Sequence, residues 1–402
     1  MTAITRVPAC DAVVPSNVPP VIVVGGGQSG LAAAHALREL CVPALILEAS
    51  GCPCGSWPHY YDSLHLFSPA AFSSLPRFPF PAPPDSYPSR DEVSSYLEGY
   101  AALIGADIQA NARVDTIRQH GREFLVFASN GKPMRASGVV AASGSFSNPY
   151  RPGFDGQESF SGELLHVAEY RSPAPYTGKR VIVVGAGSSA AQVANELARV
   201  ASVTLASRHP VRFIPQHLGG RDIHHWLRET GFDALPAEWL TKVTGERAII
   251  DSVNFKQTLA RGLVDRRPIF AALDGDEVVW SDGEREHADA IILATGYRPS
   301  LEYLRELGAI DERGTPLHTN GVSSTHPGLV YVGLDNQRSF ASNTLRGVSA
   351  DADAVAAPLA AWVRDAPRMI GISQNPLVAA RTARSRRPNC CSPHARSRAA
   401  RR

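Results

Sequence analysis

The chain has 402 residues, more than one hydrophobic core usually serves, so two domains are expected. Hydrophobic residues make up 44% and charged residues 19%, a composition that excludes disorder for most of the chain. The formal net charge is +2, but residues 381–402 hold eight arginines and no acid, so the remainder carries a net charge of −6. This balance argues against a nucleic-acid partner for the folded part.

No apolar run reaches the roughly 18 to 20 residues that a membrane-spanning helix needs, and the start of the chain lacks the pattern of a secretory signal. The six cysteines are too few and too clustered for a disulfide framework, which fits a reducing compartment. The sequence therefore predicts a cytoplasmic protein.

The sequence repeats itself at an offset of 160 residues. Residues 21–30 read VIVVGGGQSG, residues 181–190 read VIVVGAGSSA, and an alanine-rich, helix-compatible stretch follows each. In each copy the β-branched residues predict a buried parallel strand, the glycines a tight turn, and the next residues a helix whose free amides can hold a diphosphate. The repeat predicts two dinucleotide-binding units.

One position distinguishes the two copies. The residue 23 positions after the first glycine is Glu48 in the first copy and Arg208 in the second. A carboxylate accepts hydrogen bonds from both ribose hydroxyls of FAD, whereas a guanidinium, helped by the Ser207 hydroxyl, suits the 2′-phosphate of NADPH. We therefore predict FAD at the first site and NADPH at the second. The alternative, that both are solvated charges at strand ends, stays open.

The candidate cofactor-binding residues lie in the two turns, at strand ends and in later segments. Asp335, at the end of a predicted strand over residues 329–335, can bond the ribityl chain of the flavin or lie in a surface turn. The predicted set is Gly25, Gly27, Gln28, Ser29, Gly30, Glu48, Trp57, Gly185, Gly187, Ser188, Ser189, Ser207, Arg208, Gly296 and Asp335. No residue is assigned to a metal.

Two apolar runs that close on glycine-containing turns, residues 139–149 and 290–300, mark where the chain leaves and re-enters the first domain. They predict an α/β fold with two Rossmann-like dinucleotide-binding domains, the NADPH domain being inserted into the FAD domain. A helical stretch over about residues 349–363 closes the FAD domain. The predicted bounds are 1–17 for an N-terminal extension, 18–150 and 290–365 for the FAD domain, 151–289 for the NADPH domain, and 366–402 for a basic, disordered tail.

The proline-rich segment over residues 69–88 carries four aromatic residues, and linkers seldom do. It is predicted to pack as an irregular cover over the cofactor.

Against this background, the chain resembles the class B flavin-dependent monooxygenases, which have two dinucleotide-binding domains. Their identifying motif, F-x-G-x-x-x-H-x-x-x-Y/F, is present as FSGELLHVAEY just before the second glycine motif, and it contains His166 and Tyr170. The resemblance covers about residues 18–365. The stretch YYDSLHLFSPAAFSSLPRFPFP looks most like the plant auxin-forming enzymes and those of bacterial arsenic-resistance operons.

The resemblance implies a reaction and two catalytic candidates. NADPH reduces the flavin, O2 reacts with it, and a C4a-(hydro)peroxyflavin passes one oxygen atom to a small soft nucleophile or oxo acid, with arsenic resistance as one implied role. His166 is expected at the domain junction, where it couples NADP binding to domain position, and Tyr170 belongs to the same motif. A structural histidine is the alternative. The implied partners are a small-molecule substrate and O2, and a homodimer is left open.

The missing asparagine in residues 63–68 and the cysteine pattern bear on the alternative functions. Animal-type members carry an asparagine where residues 63–68 read SLHLFS here, so leakage to hydrogen peroxide is an alternative outcome. An NADPH oxidoreductase or oxidase without oxygenation is the second class, and a redox-sensing flavoprotein is the third. The chain has no Cys-x-x-Cys, which argues against thioredoxin reductase activity, and Cys54 of the Cys52–Cys54 pair is expected to be an incidental thiol.

Overall fold

A computed structural model describes residues 17–129, 131–239 and 248–370 of the chain. Residues 1–16 of the predicted N-terminal extension and most of the predicted tail, including Cys390 and Cys391, lie outside the described residues. Within those residues, no helix is both long and apolar enough to cross a membrane.

The described strands and helices are numbered in chain order. The strands are β1 Val21–Val24, β2 Ala44–Leu47, β3 Asp107–Gln109, β4 Val114–His120, β5 Glu123–Ala128, β6 Met134–Ala136, β7 Gly138–Ala141, β8 Glu163–His166, β9 Arg180–Val184, β10 Ser202–Ser207, β11 Arg212–Pro215, β12 His217–Leu218, β13 Arg221–Asp222, β14 Ala248–Asp251, β15 Asp265–Pro268, β16 Ala272–Asp274, β17 Glu277–Val279, β18 Arg285–His287, β19 Ala290–Leu293, β20 His318–Thr319, β21 Val322–Ser323 and β22 Leu329–Tyr331. The α-helices are α1 Gln28–Glu39, α2 Arg90–Ile104, α3 Ser188–Leu197, α4 Ile223–Glu229, α5 Phe255–Ala260 and α6 Val348–Ile370.

Two parallel sheets form the framework. The first has the order β20-β21-β22-β7-β1-β2-β3, and its five strands from β22 to β3 are parallel. The second has the order β15-β10-β9-β19-β8 and is parallel throughout. A three-stranded antiparallel sheet accompanies each, β4-β5-β6 in the first unit and β16-β17-β18 in the second. The repeat seen in the sequence thus extends to whole units, and the predicted α/β fold with two Rossmann-like units is confirmed.

The first strand of each unit is buried on both faces. Val21 and Val23 of β1 face the core formed with α1, α2 and α6, while Ile22 and Val24 face the core shared with the β4-β5-β6 sheet. The residues of β9 alternate between two cores in the same way. Burial of both faces requires an apolar residue at every position, which explains the unbroken VIVV runs.

The predicted boundary between residues 289 and 290 is wrong. Strand β19 begins at Ala290 and lies between β9 and β8, in the middle of the second sheet. The apolar run that we assigned to the returning first domain is instead the second unit's counterpart of β7. The chain leaves the second sheet only after Leu293.

The two segments that connect the sheets run side by side. The Tyr150 amide donates to the Gly296 carbonyl, the Arg298 amide to the Asn148 carbonyl, and the Ser300 amide to the Gly144 carbonyl, each over 2.9 Å. The connection is therefore a short two-stranded ribbon, not two independent linkers.

The proline-rich segment is packed, as predicted. Phe72 and Phe80 are buried, and the Tyr96 hydroxyl of α2 accepts a 2.6 Å hydrogen bond from the Leu75 amide. Phe72 also contacts the ring of His225 on α4, with 4.8 Å between ring centroids. The segment therefore joins α2 of the first unit to α4 of the second.

Helix α6 and strand β22 differ in length from their predictions. The helix extends to Ile370, beyond the predicted end at residue 363 and the predicted domain end at residue 365. The strand ends at Tyr331, because Gly333 has a φ of +88° and turns the chain out of the extended conformation.

Candidate active site

The N-terminal ends of α1 and α3 differ from those of three other helices. Gly27 and Gly187 are their N-cap residues, and neither helix has a side chain that bonds to its first amides. Helices α2, α4 and α5 are capped by side chains, namely Ser89 with Glu92, Asp222, and Asp251. Free amides at the start of a helix attract an anion. Both glycine turns are therefore suited to a diphosphate.

The glycines of the first turn have different physical roles. A Cβ on Gly25, whose φ is +104°, would lie 2.6 Å from the Ala142 carbonyl oxygen, and a Cβ on Gly30 would lie 1.8 Å from the Gly25 carbonyl oxygen. These two glycines are required by the protein's own packing. A Cβ on Gly27 would meet only the Gly55 Cα, at 3.5 Å, an ordinary contact. The fold therefore does not need a glycine at position 27, whereas close approach of a ligand does.

The second turn has the same division. Gly185 has a φ of +149°, and a Cβ there would lie 2.3 Å from the Ala294 carbonyl oxygen. A Cβ on Gly187 would meet nothing within 4 Å. Ser188 and Ser189 follow in the first turn of α3 and are half-buried. The turn thus leaves open space directly above the free amides.

Glu48 is the first residue beyond β2 and is only 6% exposed. Its Oε2 accepts a 2.6 Å hydrogen bond from the Gly26 amide, and its Oε1 accepts from the Ser50 amide over 2.7 Å. Burial excludes the alternative of a solvated strand-end charge for this residue. Oε1 also accepts from the Ser50 hydroxyl over 2.8 Å, so Oε2 is the oxygen that can accept a further bond, from a ribose hydroxyl of a nucleotide.

Arg208 follows β10 and is exposed, and it has no ion pair with any residue of the described ranges. Its guanidinium is therefore available to a ligand. We predicted that the Ser207 hydroxyl assists Arg208 in binding a 2′-phosphate. In the structure Ser207 is only 7% exposed, and its hydroxyl donates to the His209 carbonyl over 2.8 Å. The single hydroxyl proton is already used locally.

Two residues from later in the chain, Trp57 and Gly333, contact the start of α1 beside the first glycine turn. The Trp57 indole donates from Nε1 to Oε1 of Gln28 over 2.9 Å. Ser29 is buried and lies against Gly333, where a Cβ would be 2.0 Å from the Ser29 hydroxyl. Asp335 is exposed and accepts a 3.3 Å bond from the Asn343 side chain, which fits the surface-turn alternative. Gly333 was not predicted, although its position just after an apolar strand was a usable signal.

His166 is fully buried, and both of its ring nitrogens are bonded to backbone. Nε2 donates to the Gly296 carbonyl over 3.1 Å, and Nδ1 accepts from the Ala168 amide over 3.1 Å. Burial lowers the pKa of this imidazole, which is consistent with the neutral form. The residue ties β8 to the returning segment of the ribbon. This placement favours the structural alternative over a catalytic role.

Tyr170 is 1% exposed and packs with Tyr61 and Tyr176 in the second core. Burial, together with the nearby carboxylate of Glu196, raises the pKa of its hydroxyl. The ring therefore acts as a core residue, and its placement does not support the predicted catalytic role.

An aromatic row, Trp57, Tyr60, Phe146 and Tyr297, runs from the first turn to His166. Neighbouring rings are 5.8, 4.5 and 5.5 Å apart, and Tyr297 meets His166 edge-on at 5.0 Å. Burial raises the pKa of Tyr60 to about 12, so its hydroxyl stays protonated. Tyr60, Phe146 and Tyr297 were not predicted from the sequence. The last two do lie in the glycine turns that end the two apolar runs.

The loop around residue 60 also holds the two units together. Tyr61 donates to the Gln192 side chain on α3, and Ser63 donates to Glu196 over 2.8 Å. Arg171 bonds to the His59 and Tyr60 carbonyls. Ser63 begins the SLHLFS stretch, in which the asparagine expected of animal-type members is absent. In this chain that stretch contributes an interdomain contact.

These features define a flavoprotein oxidoreductase built on two dinucleotide-binding units. Residues 22–229 match the family described as pyridine nucleotide-disulphide oxidoreductase, and the chain belongs to this family. Family membership confirms FAD and NADPH as the cofactors of this class of enzyme. Which residues hold each cofactor in this chain is proposed below.

Relatives narrow the class. The chain is 32% identical to an uncharacterized CzcO-like oxidoreductase of Geobacillus kaustophilus, with 83% of this chain and 96% of the relative covered. It is 31% identical to the indole-3-pyruvate monooxygenase YUCCA1 of Oryza sativa, with coverage of 74% and 81%. The flavin-containing monooxygenase of Stenotrophomonas maltophilia matches with a TM-score of 0.76 at 33% identity, over 86% of this chain and 99% of that one. The protein is an enzyme of the flavin-dependent monooxygenase type, as predicted.

The structural role of His166 leads to a prediction. Replacing His166 by leucine removes both ring hydrogen bonds and leaves the Ala168 amide without its partner, so the free energy of unfolding should fall by about 1 to 3 kcal/mol. The pH profile of turnover should keep its shape. Burial lowers the pKa of His166 in the folded state, so the unfolded chain binds the proton first as the pH falls. The stability that neutral, buried His166 contributes is therefore lost as the pH falls through the unfolded-state pKa of about 6.5.

Thermal unfolding between about pH 8 and pH 5 measures this effect, and part of the acid sensitivity should be missing in His166→Leu. His120→Leu, at an exposed histidine, is the control. A displaced pH profile of turnover in His166→Leu would instead identify a proton-transfer group.

Proposed function

We propose that this protein is an FAD- and NADPH-dependent monooxygenase that holds FAD at the α1 turn and NADPH at the α3 turn. The observation that carries the proposal is the pair of equivalent, uncapped glycine turns with opposite charges at their ribose ends. Once bound and reduced, the flavin supplies the activation of O2 and the transfer of one oxygen atom.

The residues of the first site bind and orient the cofactor. The amides that begin α1 face the diphosphate, and Glu48 accepts the ribose hydroxyls while Gly26 and Ser50 hold its carboxylate in place. Gln28 and Trp57 hold each other at the rim. These contacts position the flavin without any side chain acting as a nucleophile.

The residues of the second site distinguish NADPH from NADH. Arg208 is the exposed cation at the ribose end, without an ion pair within the described part of the chain, and a 2′-phosphate supplies a matching anion. The half-buried aromatic row from the first turn to His166 limits access of water to the region beside the flavin. Exclusion of water strengthens the electrostatic contacts that remain.

For the substrate we propose a small oxo acid or soft nucleophile. The rice relative is named as an indole-3-pyruvate monooxygenase, and indole-3-pyruvate is an oxo acid. The role in arsenic resistance stays a prediction from the sequence resemblance, a cytoplasmic location stays a prediction from composition and cysteine usage, and a homodimer stays open.

Turnover of the flavin-loaded protein tests the proposed reaction. NADPH consumption, O2 uptake, hydrogen peroxide and oxygenated product should be measured with indole-type oxo acids, thiols, amines and trivalent arsenicals. A substrate that yields product in proportion to NADPH consumed supports the monooxygenase. NADPH consumption that yields only peroxide with every class would identify an oxidase, and negligible consumption would identify a redox sensor.

Matched substitutions test which turn holds which cofactor. Gly27→Ala and Gly187→Ala both add a Cβ that the protein itself tolerates, at 3.5 Å from its neighbour or with nothing within 4 Å. We expect Gly27→Ala to fold but to bind flavin about tenfold more weakly, and Gly187→Ala to keep its flavin and raise the KM for NADPH by about tenfold, each about 1.4 kcal/mol. Flavin content after desalting and steady-state kinetics measure the two effects. The assignment fails if both substitutions affect the same cofactor.

Arg208→Ala tests the phosphate contact. Loss of a charge-assisted hydrogen bond of about 1.5 to 3 kcal/mol should raise the KM for NADPH by roughly 10- to 100-fold and leave NADH kinetics almost unchanged. Arg266→Ala, at an exposed arginine on the adjacent strand β15, is the matched control. Equal losses with NADPH and NADH would refute the role of Arg208.

A further inference from the structure

The loop after β2 carries two cysteines whose side chains converge on a carboxylate of another element. Cys52 and Cys54 pair as a disulfide in this structure, so the expectation of an incidental Cys54 thiol is wrong. The two sulfurs and a carboxylate oxygen of Glu98, on α2, all lie within 4.8 Å of one another. Once the sulfur–sulfur bond is broken, two thiolates and one carboxylate at this spacing are close enough to share one metal ion.

The surroundings of this cluster favour an ion over a solvated surface group. Cys54 is 1% exposed and Cys52 is half-buried, so the sulfurs are largely removed from water. Pro53 lies between them and fixes its own φ, which limits the freedom of the loop. Glu98 is exposed, and this side leaves room for the ion to enter and for a water ligand.

We propose that reduced Cys52 and Cys54, together with Glu98, bind a thiophilic divalent cation such as Zn²⁺ or Cd²⁺. Two thiolates select such ions over Mg²⁺ or Ca²⁺, and three protein ligands with one water give a tetrahedral site. A dithiol such as dithiothreitol supplies two electrons and two protons to the disulfide, breaks the sulfur–sulfur bond and is itself oxidised to a cyclic disulfide. Binding then releases the two thiol protons and forms two metal–sulfur bonds. The disulfide and the bound cation therefore exclude each other.

The cysteine loop contacts the first glycine turn at three points. The Ser50 hydroxyl lies 3.0 Å from the Cys52 carbonyl oxygen and 2.8 Å from Oε1 of Glu48. A Cβ on Gly55 would lie only 2.8 Å from the Gly27 Cα, and Trp57 bonds to Gln28. A change at the cysteines is thus transmitted to Glu48 and Gly27, so cation binding should change the rate at which flavin is released.

Cadmium binding to the full-length, flavin-loaded protein tests the proposal. The parent for all variants carries Cys10→Ser, Cys41→Ser, Cys390→Ser and Cys391→Ser, which removes every cysteine except Cys52 and Cys54. After reduction with dithiothreitol and its removal, elemental analysis should find one Cd²⁺ per chain, with thiolate-to-cadmium absorption in the ultraviolet. Before reduction it should find none. Cd²⁺ should also change the rate of flavin release, followed by flavin fluorescence.

Variants identify the ligands. Cys52→Ser and Cys54→Ser should each weaken Cd²⁺ binding by at least about tenfold, and Glu98→Gln by about tenfold. Glu158→Gln, at an exposed carboxylate of the second unit, should bind as the parent does. If Cys54→Ser does not fold, the Cd²⁺ affinity of Cys52→Ser, at the half-buried position, decides whether the cysteines are ligands.

Three results would overturn the site: no binding by the reduced parent, unchanged affinity in both cysteine variants, or unchanged affinity in Glu98→Gln. Flavin release that does not respond to Cd²⁺ would overturn the coupling. None of these readouts depends on NADPH turnover, so the proposed function is tested separately.

Discussion

The free amides at the start of α1 and α3 are the constraint on which the rest of this structure depends. A helix that begins without a side-chain cap leaves several N–H groups unpaired, and this costs stability unless water or an anion satisfies them. The chain caps α2, α4 and α5 with its own carboxylates and hydroxyls but places glycine at the N-caps of α1 and α3. Those two ends are therefore kept for a ligand.

Around these two helix ends, the strands position the glycine turns, and the residues just after the strands set the charge beside each turn. Parallel strands β1 and β9 carry each glycine turn to the same edge of its sheet, and β2 and β10 bring Glu48 and Arg208 to the equivalent place beside it. Glu48 is held by the Gly26 and Ser50 amides, whereas Arg208 has no comparable partner among the described residues. The same architecture thus places a preoriented hydrogen-bond acceptor, Glu48, in the first unit and an exposed cation, Arg208, in the second.

Hydrogen bonds and ring contacts form the junction between the two units, and His166 of the FSGELLHVAEY motif lies among them. His166 bonds through Nε2 to Gly296 of the returning segment and through Nδ1 to the Ala168 amide just beyond β8, and Tyr297 packs against its ring. The connecting ribbon and the loop around Tyr61 add backbone and side-chain bonds from one unit to the other. The family's motif therefore marks the structural joint between the two units, which is consistent with its place just before the second glycine turn.

The sequence by itself determined the two strand–turn–helix repeats, the need for Gly25 and Gly185, and the opposite charges of Glu48 and Arg208. These follow from local chemistry: β-branched runs, positive φ and residue spacing. Only the tertiary structure decided that β19 belongs to the second sheet, that His166 and Tyr170 are buried, that the Ser207 hydroxyl is used locally, and that Cys52, Cys54 and Glu98 converge. The physical reason is that an apolar run or a polar side chain has no partner until the sheets pack. Its role depends on contacts between residues far apart in the chain.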